Sequence, residues 1–257
     1  MIAYKIPQYM GGIEHDAKTI KGKGRNVLTL AVYFSPSDRS GIADVCKYAT
    51  PGCKKSCLDT AGHGSMNLVQ LTRANRTDLF FHHRSLFDSL LFADHMRLMS
   101  LAEQRGLMPA SRLNATADLP WERIPFTIGR EKYRNIMEVF PDIQFYDYTK
   151  WPIGLRRNLP DNYDLTFSLA ETQENRRHAE EWLAEGERVS IVVNIPAHTH
   201  APLPTGLWGL DTTDGDRDDC RFLDPKDKYV LLRAKGKAVH DTTGFVLDLA
   251  TVSNITW

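Results

Sequence analysis

Six short apolar runs recur along the chain, at 27–34 and at about 111–115, 143–147, 164–168, 189–194 and 229–233. The first, Val-Leu-Thr-Leu-Ala-Val-Tyr-Phe, is β-branched and aromatic at strand length. From Met66 to about Arg105, Leu68, Leu71, Leu79, Leu86, Leu90 and Leu91 recur at three- and four-residue steps, over a stretch long enough for two helices. Helical patterns return at about 130–139 and 172–185, with a short turn near 152–157. Strand, helix and strand in alternation require parallel pairing through crossover connections. The pattern therefore predicts one α/β domain: a parallel six-stranded partial (β/α) barrel, or an open parallel sheet with crossover helices. Residues 1–26 carry Gly11, Gly12, Gly22 and Gly24 among Lys21, Lys23 and Arg25 and are expected to be an irregular basic lead-in. The domain itself spans 27–257, with a cysteine metal loop at 46–63.

Composition narrows the function. The 257 residues are 42% hydrophobic and 25% charged, as in an ordinary globular protein, so a disordered chain is excluded. Lys plus Arg and Asp plus Glu each total 32, so no global charge announces nucleic acid or a membrane as partner. No run reaches the roughly 18 apolar residues of a membrane span. The first residues lack the basic and apolar regions of a signal peptide, and the expected location is a reducing cytoplasm. A structural disulfide would not persist there.

That matters because three of the four cysteines, Cys46, Cys53 and Cys57, follow the first strand at C-x6-C-x3-C spacing, with His63 next. Thiolates this close in sequence share a metal, form a disulfide, or pack as small apolar residues. With the disulfide disfavoured, two metal readings lead. Three thiolates can hold a [4Fe-4S] cluster with one iron open to another ligand. Beyond the first strand of a parallel barrel, that arrangement resembles the radical S-adenosylmethionine enzymes, in which the open iron chelates the cofactor. The usual C-x3-C-x2-C spacing of that superfamily is not kept. Nor is its Gly-Gly-Glu segment after the second strand, where Asn114 to Asp118 stand instead. The alternative is zinc, closed by Cys46, Cys53, Cys57 and His63 as a structural Cys3His site. Cys220 lies far away in sequence and could supply a fourth thiolate to either metal.

Ligands of parallel α/β folds sit at the carboxyl ends of the strands. The second strand is followed by Asn114, Thr116 and Asp118, the third by Asp147, Tyr148 and Lys150, the fourth by Ser168 and Glu171, and the fifth ends at Asn194. Asp118, Glu171 and Lys150 are the candidate catalytic groups. Asn114, Thr116, Asp147, Ser168 and Asn194 are the candidate cofactor-binding groups. Each is open to a plainer role as a helix cap. Arg73, Arg76 and Arg84, with Lys47, Lys54 and Lys55, place basic charge around the cysteine loop, where it would lower thiol pKa values or attract phosphate. Asp214-Gly215-Asp216-Arg217-Asp218 fails as a calcium loop, because the sixth and twelfth positions are Asp219 and Pro225. It reads as a polar loop that closes over the mouth. The chain has no Walker loop, dinucleotide fingerprint or nucleophile elbow.

The segment Ala49-Thr50-Pro51-Gly52-Cys53-Lys54-Lys55-Ser56-Cys57-Leu58-Asp59-Thr60-Ala61-Gly62 resembles the cysteine segment of the phage gene product 88 family. Further matches are the stretch from Arg112 to Glu122, Tyr146-Asp147-Tyr148-Thr149-Lys150, Asp214-Gly215-Asp216, and Arg221-Phe222-Leu223-Asp224-Pro225. The resemblance spans nearly the whole chain and implies a bacteriophage source, hence a host cytoplasm. It implies no reaction, although phage redox enzymes often serve nucleotide metabolism or base modification. The expected function is an iron–sulfur enzyme of radical S-adenosylmethionine type acting on a nucleotide or nucleic-acid base. The alternative is a zinc-stapled module that binds nucleic acid or a host protein without catalysis.

Overall fold

Every residue of β2 (Val27–Val32) is buried, as a strand covered on both faces must be. The structure, a computed structural model, describes residues 7–14 and 19–257. Its main sheet has ten strands among the described residues. In spatial order they are β1 (Gly11–Ile13), β2, β3 (Met108–Arg112), β6 (Gln144–Thr149), β7 (Tyr163–Ser168), β8 (Val189–Pro196), β11 (Tyr229–Ala234), β10 (Leu210–Asp214), β9 (Gly206–Leu207) and β12 (Ile255–Thr256). Strands β4 (Phe126–Ile128) and β5 (Glu131–Tyr133) form a separate hairpin.

The expected six-stranded parallel barrel or sheet is corrected on this evidence of ten strands in a mixed sheet. The pairs from β2 through β3, β6, β7, β8 and β11 to β10 are parallel. The margins are antiparallel, β1 against β2 and β9 against both β10 and β12. Marginal strands such as Gly-Gly-Ile and Leu-Asp-Thr-Thr-Asp have no apolar run of their own. They are strands because a formed edge offers them hydrogen bonds, which is tertiary context overriding propensity. Part of the expected irregular lead-in is thus β1, followed by a 3-10 helix over Thr19–Arg25. Residues 1–6 and 15–18 lie outside the described residues.

Crossover helices are also fewer than expected. Helices α2 (Asn67–His82) and α3 (Arg84–Arg105) join β2 to β3, and α5 (Gln173–Ala184) joins β7 to β8. The expected helix at 130–139 is instead β5 and a four-residue α4 (Ile136–Val139), because Gly129, at φ 60°, turns the chain into the β4–β5 hairpin. Between β6 and β7 there is only a 3-10 turn, Ile153–Leu155. A short α1 (Pro51–Lys55) lies within the cysteine loop. No helix among the described residues is long and apolar enough to cross a membrane.

The two faces of the sheet differ in chemistry. Leu28, Leu30, Val32, Phe145, Leu165 and Phe167 join the main core with Phe87, Leu91 and Leu98 of α3 and Trp182 of α5. Each such fully buried side chain contributes about 1.5–3 kcal/mol over leaving it exposed. Alternation sends the intervening residues to the opposite face. There Val27, Ala110 and Tyr146 form a small second cluster with Cys220 and Phe222. Arg112, Tyr148 and Thr166 add polar groups to that face beside Val230 and Leu232, and the segment after β10 packs on it through Cys220, Arg221 and Asp224. The loop at 214–219 therefore leads into a cover for the sheet's polar face.

Candidate metal-binding site at the strand ends

Beyond β2 the chain enters the cysteine loop, held from both sides. The Ser35 N–H donates to Thr77 Oγ1 of α2 (3.0 Å), and the Val45 N–H returns to the Ser37 carbonyl (3.1 Å). Cys46 is placed by that turn: its Sγ accepts from the Ser37 N–H (3.3 Å) and faces the Thr116 carbonyl (3.8 Å). Thr116 is itself tied to the end of β2, its hydroxyl donating to the Phe34 carbonyl (2.7 Å).

Cys53 lies in α1, whose start is specified locally. Thr50 is the N-cap, accepting from the Cys53 N–H (3.2 Å), and Pro51 opens the first turn without wasting a donor. Glu171, three residues past the end of β7, completes this cap across 119 residues of sequence. Its Oε1 accepts from the Gly52 N–H (2.7 Å) and its Oε2 from the Thr50 hydroxyl (2.7 Å). A carboxylate at a helix N-terminus is favourable for the dipole as well. Both oxygens of Glu171 therefore position the loop.

Cys57 begins a 3-10 turn, Leu58–Thr60. Asp59 is the hub below it. Arg39 pairs with its carboxylate, and its carbonyl accepts from Arg73 Nη1 (2.7 Å) and Gln70 Nε2 (3.0 Å). Arg76 reaches the Tyr33 carbonyl (3.4 Å). Arg73 and Arg76 thus brace the loop from α2, and Arg84 pairs with Asp88 (2.7 Å).

The three thiols share one electrostatic neighbourhood. Burial pushes Cys46 up to about 12, the Ser37 N–H opposes it, and Asp118, Cys53 and Cys57 add to it. Burial likewise pushes Cys57 up to about 12, with Asp59 and Cys53 among the further causes. Cys53 is raised by burial, opposed by the Lys150 ammonium, and raised further by Asp118 and Glu171. Asp118 and Lys150 are therefore charged neighbours of the thiols. The Lys150 ammonium donates to Ser168 Oγ (2.6 Å) and to its carbonyl (3.0 Å). Asp118 Oδ2 accepts from the Lys150 N–H (2.8 Å), while its Oδ1 is buried without a hydrogen-bond partner, 3.6 Å from Arg156.

Other strand-end residues are engaged elsewhere. The Asn114 side chain closes its own loop, donating to the Leu119 carbonyl (2.9 Å) and accepting from the Leu119 N–H (3.0 Å) and the Trp121 indole (3.1 Å). Asp147 lies on the helix-covered face, accepting from the Asn114 N–H (2.7 Å) and the Tyr163 hydroxyl (3.0 Å). Asn194 links β8 to the C-terminal segment through Asp248 (2.6 Å) and the Leu249 N–H (3.1 Å). His63 is exposed. Cys220 is buried under the opposite, polar face of the sheet. Among the described residues, no three His, Cys, Asp or Glu side chains stand close enough together to hold a single metal ion.

Sequence reasoning did not reach Thr50, Arg39, Asp59 or Arg156. Thr50-Pro51 carried a readable signal, a capping threonine before proline. Arg156 had none: its contacts with Glu122 (2.8 Å) and Thr149 (3.1 Å) exist only once three loops meet.

The model of a family described as Gene product 88 matches residues 12–249. No curated protein and no solved structure matches the chain.

Proposed function

The chain belongs to the phage gene product 88 family, and from the site at its strand ends we propose an iron–sulfur enzyme of radical S-adenosylmethionine type acting on a nucleotide or nucleic-acid base. Cys46, Cys53 and Cys57 would hold a [4Fe-4S] cluster. The observation that carries this reading is the convergence of three partly buried thiols with Asp118 and Lys150 at the carboxyl ends of parallel strands. Thiols pushed up to about 12 stay protonated at neutral pH, so a cation is the natural partner that would let them ionise. His63, the expected fourth zinc ligand, is exposed.

When bound, the cluster would supply one-electron chemistry and S-adenosylmethionine a cleavable sulfonium. The chain's own residues do the rest. Lys150 sets a positive charge beside Cys53 and is itself held by Ser168. Asp118 Oδ1 offers a buried acceptor to a ligand amino or hydroxyl group. Glu171 keeps α1, and so Cys53, in place. Thr116 orients Cys46 through its carbonyl. Ordering these groups before a ligand arrives lowers the cost of binding it.

Anaerobic purification tests the proposal. The expected protein is brown, absorbs at about 400 nm, carries about four irons per chain, and changes spectrum when S-adenosylmethionine is added. Colourless protein with one zinc and no iron after anaerobic reconstitution would sink the proposal, as would S-adenosylmethionine that neither perturbs the spectrum of the cluster nor is cleaved once the cluster is reduced.

A further inference from the structure

Beside the thiols lies an open cleft of about 590 Å³, lined by Arg39, Asp59, Ser65, Gln70, Lys237 and His240. Its walls are the tail of the cysteine loop and the 3-10 turn Gly236–His240, which follows directly on β11. The cleft therefore sits at the carboxyl edge of the sheet, where parallel α/β folds take ligands. Gly236, at φ 54°, permits the close approach of the two walls, since a Cβ there would stand 3.1 Å from the Ala61 Cβ. A smaller depression of about 220 Å³ continues from it, sharing Lys237 and His240 and adding Lys55, Ser56 and Asp241. A cavity of this combined size suits a ligand the size of a nucleotide.

The charge in the cleft is one-sided in its availability. Asp59 is paired with Arg39. Asp241 accepts from the Ser56 hydroxyl (3.0 Å), the Thr243 hydroxyl (2.7 Å) and the N–H groups of Gly244 (3.2 Å) and Val246 (3.1 Å). Asp241 is thus turned to donors within the protein, and Asp59 is buried and pairs with Arg39 through Oδ2, its Oδ1 having no hydrogen-bond partner. Among the described residues, no carboxylate lies within ion-pair distance of Lys55, Lys237 or His240, and all three are exposed. Two ammonium groups and an imidazole with no acid of their own, beside a guanidinium, make a site for an anion with several acceptor oxygens.

We propose that this cleft binds the phosphate of a nucleotide substrate through Lys55, Lys237 and His240 and so presents the rest of the ligand to the neighbouring thiols. In calling the ligand a substrate this rests on the function proposed above; the phosphate site itself does not. A free mononucleotide and a nucleic-acid strand offer the same phosphate chemistry, and the probes separate them.

The test is titration calorimetry on the full chain with inorganic phosphate, a deoxynucleoside 5′-monophosphate, the matching nucleoside and a short single-stranded oligonucleotide. Iron content is measured on the same samples. The mononucleotide or the oligonucleotide, whichever binds tighter, identifies the source of the phosphate. The nucleoside is expected to bind about tenfold more weakly or worse, and the exposed Lys55→Gln/Lys237→Gln double variant to lose about tenfold or more for the phosphorylated probe with unchanged iron content. A variant that binds like the parent, a nucleoside that binds as well as its phosphate, or no binding of any phosphorylated probe overturns the proposal. Phosphate binding by a protein without iron would leave the cleft standing and remove the cluster.

Discussion

Asp147 has 1% of its surface exposed, and both its carboxylate oxygens accept hydrogen bonds. Burial nonetheless pushes its carboxyl up to about 7, with the Asn114 N–H, Arg112 and Tyr163 only partly opposing. The unfolded chain releases this proton near pH 4, the folded one near 7. Below pH 4 both states are protonated and the group costs nothing; across pH 4 to 7 the unfolded state is increasingly favoured; above 7 the penalty is constant. Urea unfolding should therefore show the parent losing stability relative to Asp147→Asn as pH rises from about 4 to about 7, by up to about 4 kcal/mol. Parallel pH profiles for the two proteins would show that Asp147 does not carry the effect. The residue was legible in the sequence as a polar strand end. Its orientation was not, because period-two alternation assigns a face only after the register is known, and the register was set by pairing with β3 and β7.

At the level of elements, α1 is a five-residue helix that cannot persist alone, since a single turn fixes more dihedrals than its hydrogen bonds repay. It stands because Thr50, Pro51 and Glu171 cap it. Gly52 is the point of closest approach: a Cβ there would lie 2.6 Å from Glu171 Oε2 and 2.5 Å from Thr243 Oγ1. Gly52→Ala should therefore displace Glu171 and free the helix start, costing about 1–3 kcal/mol through the unsatisfied Gly52 N–H and Thr50 hydroxyl. Hydrogen exchange reads this directly: amides of 50–57 should lose protection while those of α3 keep theirs. Equal protection in variant and parent would mean that the cap does not hold the loop. The same logic explains which elements the sequence disclosed. Helices α3 and α5 and strands β2, β7, β8 and β11 bury apolar side chains at their own period, whereas β1, β9, β10 and α4 are held by neighbours. In α2 the expected stripe is not kept: Leu68 and Leu71 are exposed, and only the adjacent Leu79 and Phe80 are buried among its apolar residues.

Across the whole molecule, the sheet is asymmetric, apolar towards its helices and polar beneath the segment after β10. That segment is attached by charge. Asp219 meets Arg112 at 2.5 Å and Arg188 donates to the Asp224 carbonyl at 2.8 Å, while Arg221 and Asp224 pair within the segment itself at 2.8 Å. Burial works against the Arg112 charge, and Asp219 with Tyr148 and Tyr146 more than offsets it. Removing one partner of such a pair strands the other, at about 3–5 kcal/mol. Asp219→Ala should lower urea stability by about that much, and adding Arg112→Leu should restore part of it, because an apolar side chain leaves no buried charge. A double variant no more stable than Asp219→Ala would show that the cover is held by packing.

What the sequence determined by itself was local. Apolar periodicity marked runs that became parallel strands of the sheet, although the run at 111–115 meets β3 only at that strand's last two residues, and the cysteine spacing marked the loop where chemistry is expected. Tertiary structure decided the rest: ten mixed strands among the described residues where six parallel ones were expected, the polar face and its charged cover, Glu171 as the clamp on α1, and the cleft under Lys237 and His240. Lys237 and His240 follow the sixth strand, whose carboxyl end obeys the same rule as the other five; Arg233 and Lys235 there are engaged with Asp214 and Asp216, and Lys237 and His240 come next to the cysteine loop only once the chain has turned back onto it. Each of these depends on groups brought together from distant positions, and a sequence pattern records the period of one element without recording which other element will stand opposite it.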